Sequence, residues 1–383
     1  MNSRSFRNGL MKVHLWLAII LCVPMVLIGI SGSALLLQRE ILARAIPGAT
    51  SGLPKPVSDI IAAAQRSAPA GTKAKRIDLP STDGGAATVR FPAREDGKPD
   101  LDIYIDPVSL QVLGRSDVIE RGPILAFFIT IHAFLAMPPP IGLPFVGWTG
   151  VVMTFMGLSG LWLWWPRKGQ WRRAFLVRSG ARGLALHLDL HRAAGIWSLA
   201  VFLAVSTSGI YLTFPQKIGP FIKAHISGED VTTNPLPDYV RTNGPPRPEQ
   251  AIASARSAVV NAHVMSLELP ATENSYVAEL EPEGFSPTDP RVIVVLDGAT
   301  GEISYVDDPR NYAFRDKLLN WQHLLHFGVG LGWGWAVLVF LSGLLPLLFA
   351  ITGLTVWWKR RGLQKDAAVP TGPPAGVAVG ASD

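Results

Sequence analysis

The sequence predicts a membrane α-helical bundle: four main transmembrane helices arranged as two tandem repeats, carrying two small α+β domains outside the membrane. Three observations predict it. Four apolar blocks, at about residues 13–37, 143–165, 191–214 and 333–358, each reach the roughly 20 apolar residues that a bilayer crossing requires. The blocks recur with the same punctuation. His14-Leu-Trp-Leu-Ala leads to Ser31-Gly32 and His191-Arg-Ala-Ala-Gly leads to Ser208-Gly209, with 18 residues from each histidine to its glycine. Ile131-His132 likewise leads to Gly160-Leu-Trp-Leu-Trp-Trp-Pro-Arg-Lys-Gly169, and Leu325-His326 to Gly353-Leu-Thr-Val-Trp-Trp-Lys-Arg-Arg-Gly362. Between the paired blocks lie two long segments with the alternation of half-buried strands.

The elements follow in order. Residues 1–37 hold Arg4, Arg7 and Lys12 and then the first helix, whose apolar run is too long for a secretory signal core. It has no small-x-small cleavage site and reads as a retained anchor. Residues 38–121 form the first outer domain. It has an amphipathic helix near Val57–Ser67 (Ile60, Ile61 and Ala64 on one face) and strands at Lys75–Leu79, Ala87–Phe91 and Leu101–Ile105. A turn at Asp106-Pro-Val-Ser then leads to a strand at Leu110–Gly114. Residues 122–165 give a short outer helix, Ile124–Leu135, a break at Met137–Pro144, and the second span. A basic loop occupies 166–186 and the third span 187–214.

Residues 215–314 repeat the outer-domain rhythm. A helix near Pro248–Val260 precedes strands at Met265–Leu269, Tyr276–Leu280, Val292–Leu296 and Glu302–Tyr305, with a turn at Asp297–Gly301. Residues 315–358 hold an amphipathic helix, Asp316–Phe327, a break at Gly328–Gly334, and the fourth span. The tail, 359–383, is short and rich in Ala, Gly and Pro after Lys365, a disordered composition too short for a flavin or nicotinamide domain. Pro/Gly-rich stretches at Pro47–Pro56 and Asn234–Pro248 link membrane and outer parts.

Charge orients the bundle. The net charge of +6 is concentrated in the loop 166–186, where Arg167, Lys168, Arg172, Arg173, Arg178 and Arg182 stand without an acidic residue. Short basic loops stay in the cytoplasm, so both termini are expected inside and both outer domains in the periplasm of a bacterial inner membrane. The basicity is an orientation signal and no footprint for nucleic acid. One cysteine, Cys22, excludes an intrachain disulfide and a thiolate-ligated cluster. There is no Gly-x-Gly-x-x-Gly after a strand, no Walker motif, no His-Glu-x-x-His and no Gly-x-Ser-x-Gly, which removes the familiar nucleotide-binding and hydrolytic sites.

Six of the eight histidines, His14, His132, His187, His191, His323 and His326, lie at membrane edges. A single interfacial histidine is an ordinary amphipathic residue. Four in register between two halves, two per face of the bilayer, point instead to paired axial ligation of haem iron. Tandem halves of even helix number are related by an axis along the membrane normal. That axis carries His14 onto His191 and His132 onto His326. Axial ligands must approach from opposite faces of the porphyrin, so the pairs expected to bind the metal are His14 with His191 and His132 with His326, for two haem b groups. His187 and His323 share helix faces with His191 and His326. They are expected as reserve ligands, as donors to haem propionates, or as a substrate-side metal site. Arg192 either neutralises a propionate or follows the positive-inside rule.

Gly29, Gly32, Gly157, Gly160, Gly195, Gly209, Gly343 and Gly353 mark places where a macrocycle or a neighbouring helix comes close. The tryptophans near the span ends read as interface anchors. His225 and His263 read as structural or solvent-exposed. The four spans carry no acidic residue before their ends, Asp189 being expected just outside the third, which argues for a redox cofactor over an ion pathway.

These marks resemble the PepSY-associated transmembrane family, the iron-regulated membrane proteins of the PiuB type, and among them the ferrisiderophore reductases. The resemblance spans about residues 10–362 and rests on Leu190-His191-Arg-x-x-Gly195, the Ser-Gly pairs, His132 after an aliphatic residue (Ile131), Leu325-His326 and the closing Gly-Leu-x-x-Trp-Trp motifs. The first repeat departs from it, with Ala18 where glycine is expected four residues after His14. The resemblance implies PepSY-like outer domains, b-type haem, electron transfer across the inner membrane and reduction of a ferric siderophore in the periplasm by a haem-dependent oxidoreductase. An unidentified cytoplasmic or membrane electron donor is its partner. Trp321, His323 and Tyr312, near the outer haem in sequence, are candidate substrate contacts. Two other readings remain open at this point: a peptide- or protease-binding membrane protein, and a siderophore or metal permease.

Overall fold

Apolar length decides the membrane part, and strand alternation decides the rest. The computed structural model describes residues 3–37, 48–93, 100–116, 122–226, 245–270, 274–285, 290–329 and 331–367. The tail beyond 367 and residues 234–244 of the second linker lie outside the described residues. Four helices are long and apolar enough to cross a membrane: α1 (Ser3–Leu36), α4 (Pro139–Trp164), α6 (Gly183–Thr213) and α10 (Gly332–Ala367). They close a ring in which α1 packs on α4 and α10, and α6 packs on the same two. So α1 and α6 stand on one diagonal, α4 and α10 on the other. Backbone meets backbone where α1 crosses α10: a side chain on Gly29 would strike the Gly343 carbonyl, and one on Gly343 the Gly29 carbonyl.

Two short helices, α3 (Gly122–Phe134) and α9 (Phe314–His326), lie at one end of the ring, on α1 and α6 respectively. At the other end a loop holds the single turn α5 (Trp171–Ala174). The break expected over Met137–Pro144 is shorter than that. Helix α4 resumes at Pro139, because proline in a first turn forfeits no intrahelical hydrogen bond. Leu135 and Ala136 take positive φ (49° and 59°), and Gly142 fits against the Phe134 backbone, so the reversal takes little chain. Helix α6 begins at Gly183, eight residues before His191, which brings Asp189 inside the helix. There it is buried and neutralised by Arg178 of the preceding loop, with Nε–Oδ2 at 2.7 Å, so it is a clamp and no ion pathway.

The two outer segments each form helix plus four strands: α2 (Val57–Ser67) with β1 (Arg76–Asp78), β2 (Ala87–Phe91), β3 (Leu101–Ile105) and β4 (Val112–Arg115), and α8 (Pro248–Ala258) with β5 (Ala262–Glu268), β6 (Ser275–Pro282), β7 (Val292–Asp297) and β8 (Ile303–Asp307). They are not two separate layers. β1 pairs antiparallel with β5, Ile77 opposite Leu267, and produces one eight-stranded sheet of order β4-β3-β2-β1-β5-β6-β7-β8. Pairing removes two edges that would otherwise offer open backbone groups to any passing strand. One core runs under both helices, with Ile60, Ile77, Phe91, Ile103, Leu267, Leu280 and Val294 fully or almost fully buried. The joint is tied by charge as well. Arg76 reaches Asp78 on its own strand, Glu279 of β6 at 3.0 Å and Glu268 of β5 at 3.5 Å. An additional helix, α7 (Pro215–His225), follows α6 and was not expected from the sequence.

Candidate functional site

In each span a hydroxyl residue followed by glycine seats one histidine: Ser31-Gly32, Ser159-Gly160, Ser208-Gly209 and Thr352-Gly353. At the loop end, His14 of α1 sets its Nδ1 2.8 Å from Ser159 Oγ, and a side chain on Gly160 would meet His14 Cε1 at 3.7 Å. His191 of α6 sets its Nδ1 2.9 Å from Thr352 Oγ1, with Gly353 3.6 Å from His191 Cε1 on the same construction. At the sheet end, His132 of α3 points Nδ1 at the Ile28 carbonyl (2.8 Å) with Ser31 Oγ at 3.5 Å. His326 of α9 points Nδ1 at the Val205 carbonyl (3.1 Å) with Ser208 Oγ at 3.2 Å. Gly32 and Gly209 lie directly under these rings, at 2.7 and 3.0 Å from Cε1 to a built Cβ. Without glycine there, the ring has no place.

The seats fix the tautomer. A carbonyl oxygen has no proton to give, so Nδ1 of His132 and of His326 must donate. The hydroxyls reach the same result by a different route. Ser159 Oγ donates to Met156 O (3.2 Å), and Thr352 Oγ1 to Leu348 O (2.8 Å), each using its one proton on its own helix. With that proton kept on its own helix, each hydroxyl accepts from the imidazole. The two carbonyl-seated rings, His132 and His326, hold the proton on Nδ1 and present the Nε2 lone pair, the form in which imidazole binds a metal, and the hydroxyl seats of His14 and His191 are compatible with the same form.

At the sheet end the rings of the two halves face each other. His132 and His326 lie with ring centroids 5.9 Å apart and planes tilted by 48°. Two metal–nitrogen bonds of about 2 Å each place facing imidazoles roughly 6 Å apart, so one metal atom fits between them. His14 and His191, on diagonal helices, are close enough for charge on one to act on the other. Among the described residues, no group of three or more His, Cys, Asp or Glu converges to hold a metal ion. Protein alone normally gives a bare transition metal three or four ligands. A two-imidazole site suits a metal that brings its remaining ligands with it.

The sequence model of the PepSY-associated TM region matches residues 11–360. The chain belongs to the PepSY-associated transmembrane family. The match takes in both repeats, all four seats and the joined sheet. No curated protein matches the chain. The family stands on its own, and the nearer likeness to ferrisiderophore reductases has no further support from a relative.

The remaining expected residues of this PepSY-associated protein fall in three places. His187, one turn before His191, has a buried Nδ1 without a hydrogen-bond partner. His323 stacks on Phe327 with centroids 4.3 Å apart. Tyr312 and Trp321 do meet. With Phe285, Lys317, Asn320 and Arg310 they line an open cup of about 170 Å³ between the sheet and α9, and His323 is not part of its wall. Burial and the hydrogen bond from Tyr312 Oη to Asp307 (2.9 Å) hold the phenol's pKa up, so it stays protonated. Arg192 lies at the loop end beside Arg173, Arg178 and Asp189. His225 bonds the Phe221 carbonyl of its own helix and His263 is exposed on β5, so both are structural surface residues. Of the glycines, Gly195 meets nothing within 4 Å, whereas Gly157 packs on Leu203.

The role of the hydroxyl was missed from sequence, although the signal was there. Ser31-Gly32, Ser159-Gly160, Ser208-Gly209 and Thr352-Gly353 recur in register between the two halves, one in each span, beside the packing pairs Thr149-Gly150 and Ser342-Gly343.

Proposed function

We propose that this PepSY-associated membrane protein is a haem-dependent oxidoreductase that carries electrons across the bacterial inner membrane and reduces a ferric chelate, of the siderophore class, on the sheet side. The observation that supports it is the set of four imidazoles, each held at Nδ1 by a hydroxyl or carbonyl of its own half, with His132 and His326 facing each other across the halves beside Gly32 and Gly209. The donor set fits haem b: two neutral nitrogens per site, no third ligand, and glycine where a flat group needs room. His14 and His191 would hold one haem and His132 and His326 the other. When bound, haem b supplies a one-electron couple whose potential the axial ligands and their hydrogen bonds set.

The chain does the rest by placement. Ser159, Thr352 and the Ile28 and Val205 carbonyls orient the imidazoles. The basic loop, on the positive-inside rule, sets the loop end and both termini in the cytoplasm and the sheet in the periplasm. An electron donor there remains to be found. The cup of Trp321, Tyr312 and Lys317 stands on the helix that carries His326, in position to hold a chelate beside the outer site. Ferric iron is hard and gripped by oxygen donors; taking one electron makes it larger and softer, and the chelate loosens.

The test is a dithionite-reduced minus oxidised spectrum of the detergent-purified protein, with haem measured per chain. Two b-type haems per chain are expected, and His326→Ala should remove one absorbance component. A colourless protein from haem-replete cells would overturn the reading. A peptide-binding anchor would need neither the seats nor the pairing.

A further inference from the structure

The loop end carries a second built feature that the histidine pairs do not use. The loop between α4 and α6 is pinned at several points. Trp164 is buried against Phe175 and donates from Nε1 to the Ala174 carbonyl (3.0 Å), and Trp197 of α6 donates to the Phe175 carbonyl (3.0 Å). Asp189 takes the Arg178 backbone N–H and both arms of its guanidinium, at 3.2, 2.7 and 3.1 Å. The pinned loop and α6 enclose an open cup of about 200 Å³ lined by Gln170, Arg173, Ala174, Arg178, Asp189 and Arg192.

Its charge is unbalanced. Asp189 pairs with Arg178 and also attracts Arg192 at longer range, so one carboxylate faces the three guanidiniums of Arg173, Arg178 and Arg192. Two cationic charges in excess around one concavity are a site for a doubly accepting anion, and phosphate is the group that this fork geometry meets best. The same two elements say where the phosphate comes from. Trp171 and Leu176 of the loop and Trp197 of α6 are 43, 55 and 70 % exposed, apolar surface on the segments that form the cup which a free anion would not need. Aromatic rings of this kind sit at headgroup level, with acyl chains beside them.

We propose that the cup binds the headgroup phosphate of an anionic phospholipid, with Arg173 and Arg192 as its donors and the exposed Trp and Leu side chains along its first methylenes. Basic recesses between helices on the cytoplasmic face are the usual seat of such lipids. The bound lipid would tie the loop to α6 on the span that presents His191.

The full chain, purified and placed in phosphatidylcholine nanodiscs with and without phosphatidylglycerol, tests it by thermal unfolding and by native mass spectrometry of retained lipid. Phosphatidylglycerol should be retained in preference to phosphatidylcholine and should raise the unfolding temperature. Arg173→Gln should weaken retention about tenfold, the loss of one charge-assisted contact, and Arg173→Lys should restore most of it. Retention of the acidic lipid by Arg173→Gln at the wild-type level would overturn the proposal. So would an equal stabilisation by inorganic phosphate in pure phosphatidylcholine, which would make the cup a free-anion site. Loss of haem in Arg173→Gln would also overturn it, assigning the cup to the cofactor's carboxylates. Should Arg173→Gln fail to fold, the wild-type lipid preference decides.

Discussion

Gly32→Ala is the sharpest probe of the seats. A methyl there would stand 2.7 Å from His132 Cε1 and 3.0 Å from Nδ1, inside any tolerated contact. The ring cannot yield freely, since moving it breaks the 2.8 Å bond from Nδ1 to the Ile28 carbonyl. Overpacking of this kind costs about 1–3 kcal/mol, which is about 5- to 150-fold in the occupancy of whatever His132 ligates. Gly353→Ala is the control. Its methyl would meet His191 Cε1 at 3.6 Å, an ordinary van der Waals contact. Haem per chain and the reduced spectrum should therefore fall by one component in Gly32→Ala and stay whole in Gly353→Ala. Equal loss in the two variants, or no loss in Gly32→Ala at equal purity, would refute the claim that these glycines are ring seats.

Three further outcomes follow from the same geometry. Thr352→Val removes the acceptor of the His191 Nδ1 proton and should weaken binding at the loop-end pair about 10- to 100-fold, while Thr352→Ser stays near wild type; titration of the apoprotein with haem reads this. Asp106 is buried at the start of the β3–β4 turn. Burial raises its pKa, but bonds from Thr50 Oγ1 (2.6 Å), Thr50 N–H, Val108 N–H and Ser109 N–H outweigh that and hold it well below the ordinary carboxylate range. A depressed folded pKa stabilises above the unfolded value and is lost as pH falls through the folded one. Asp106→Asn should thus lower stability by about 2–4 kcal/mol at pH 7, with the gap in unfolding temperature narrowing below about pH 4; a gap constant from pH 7 to 3 counts against the assignment. Arg76→Met should destabilise the joined sheet by about 1–3 kcal/mol and flatten the salt dependence of unfolding, measured from low to molar salt.

What could be read from the sequence was whatever has a local period. The strands β2 and β3 and the helix α2 stand where alternation and the Ile60–Ala64 face placed them, because each buries one face on its own core. The pairing of β1 with β5 was not legible. β1 has three residues, and its partner lies nearly 200 positions away, so no window of sequence contains the contact. Proline misled in one place: Met137–Pro144 reads as a break, yet Pro139 and Pro140 occupy a first helical turn. The repeat put His132 and His326 in matching register, and these two rings do lie side by side. The histidine seats were not legible, because a Ser-Gly pair inside an apolar helix has an equally good account as helix packing, and Gly29 and Gly343 do serve that purpose.

The seats also explain why the chain is a duplication. His14 rests on Ser159 and His132 under Ile28 and Gly32, all within the first half; His191 rests on Thr352 and His326 on Val205 and Gly209, all within the second. Each half orients its own two imidazoles completely. Neither half completes a pair, since the ring that faces His132 is His326 of the other half. The sheet obeys the same rule, with β1 and β5 as edges until the halves meet. Joining two such halves in one chain replaces a bimolecular encounter by an intramolecular one, at effective concentrations in the millimolar range. The two histidine pairs and the one joined sheet then form together, and a change that pries the halves apart should cost all three at once.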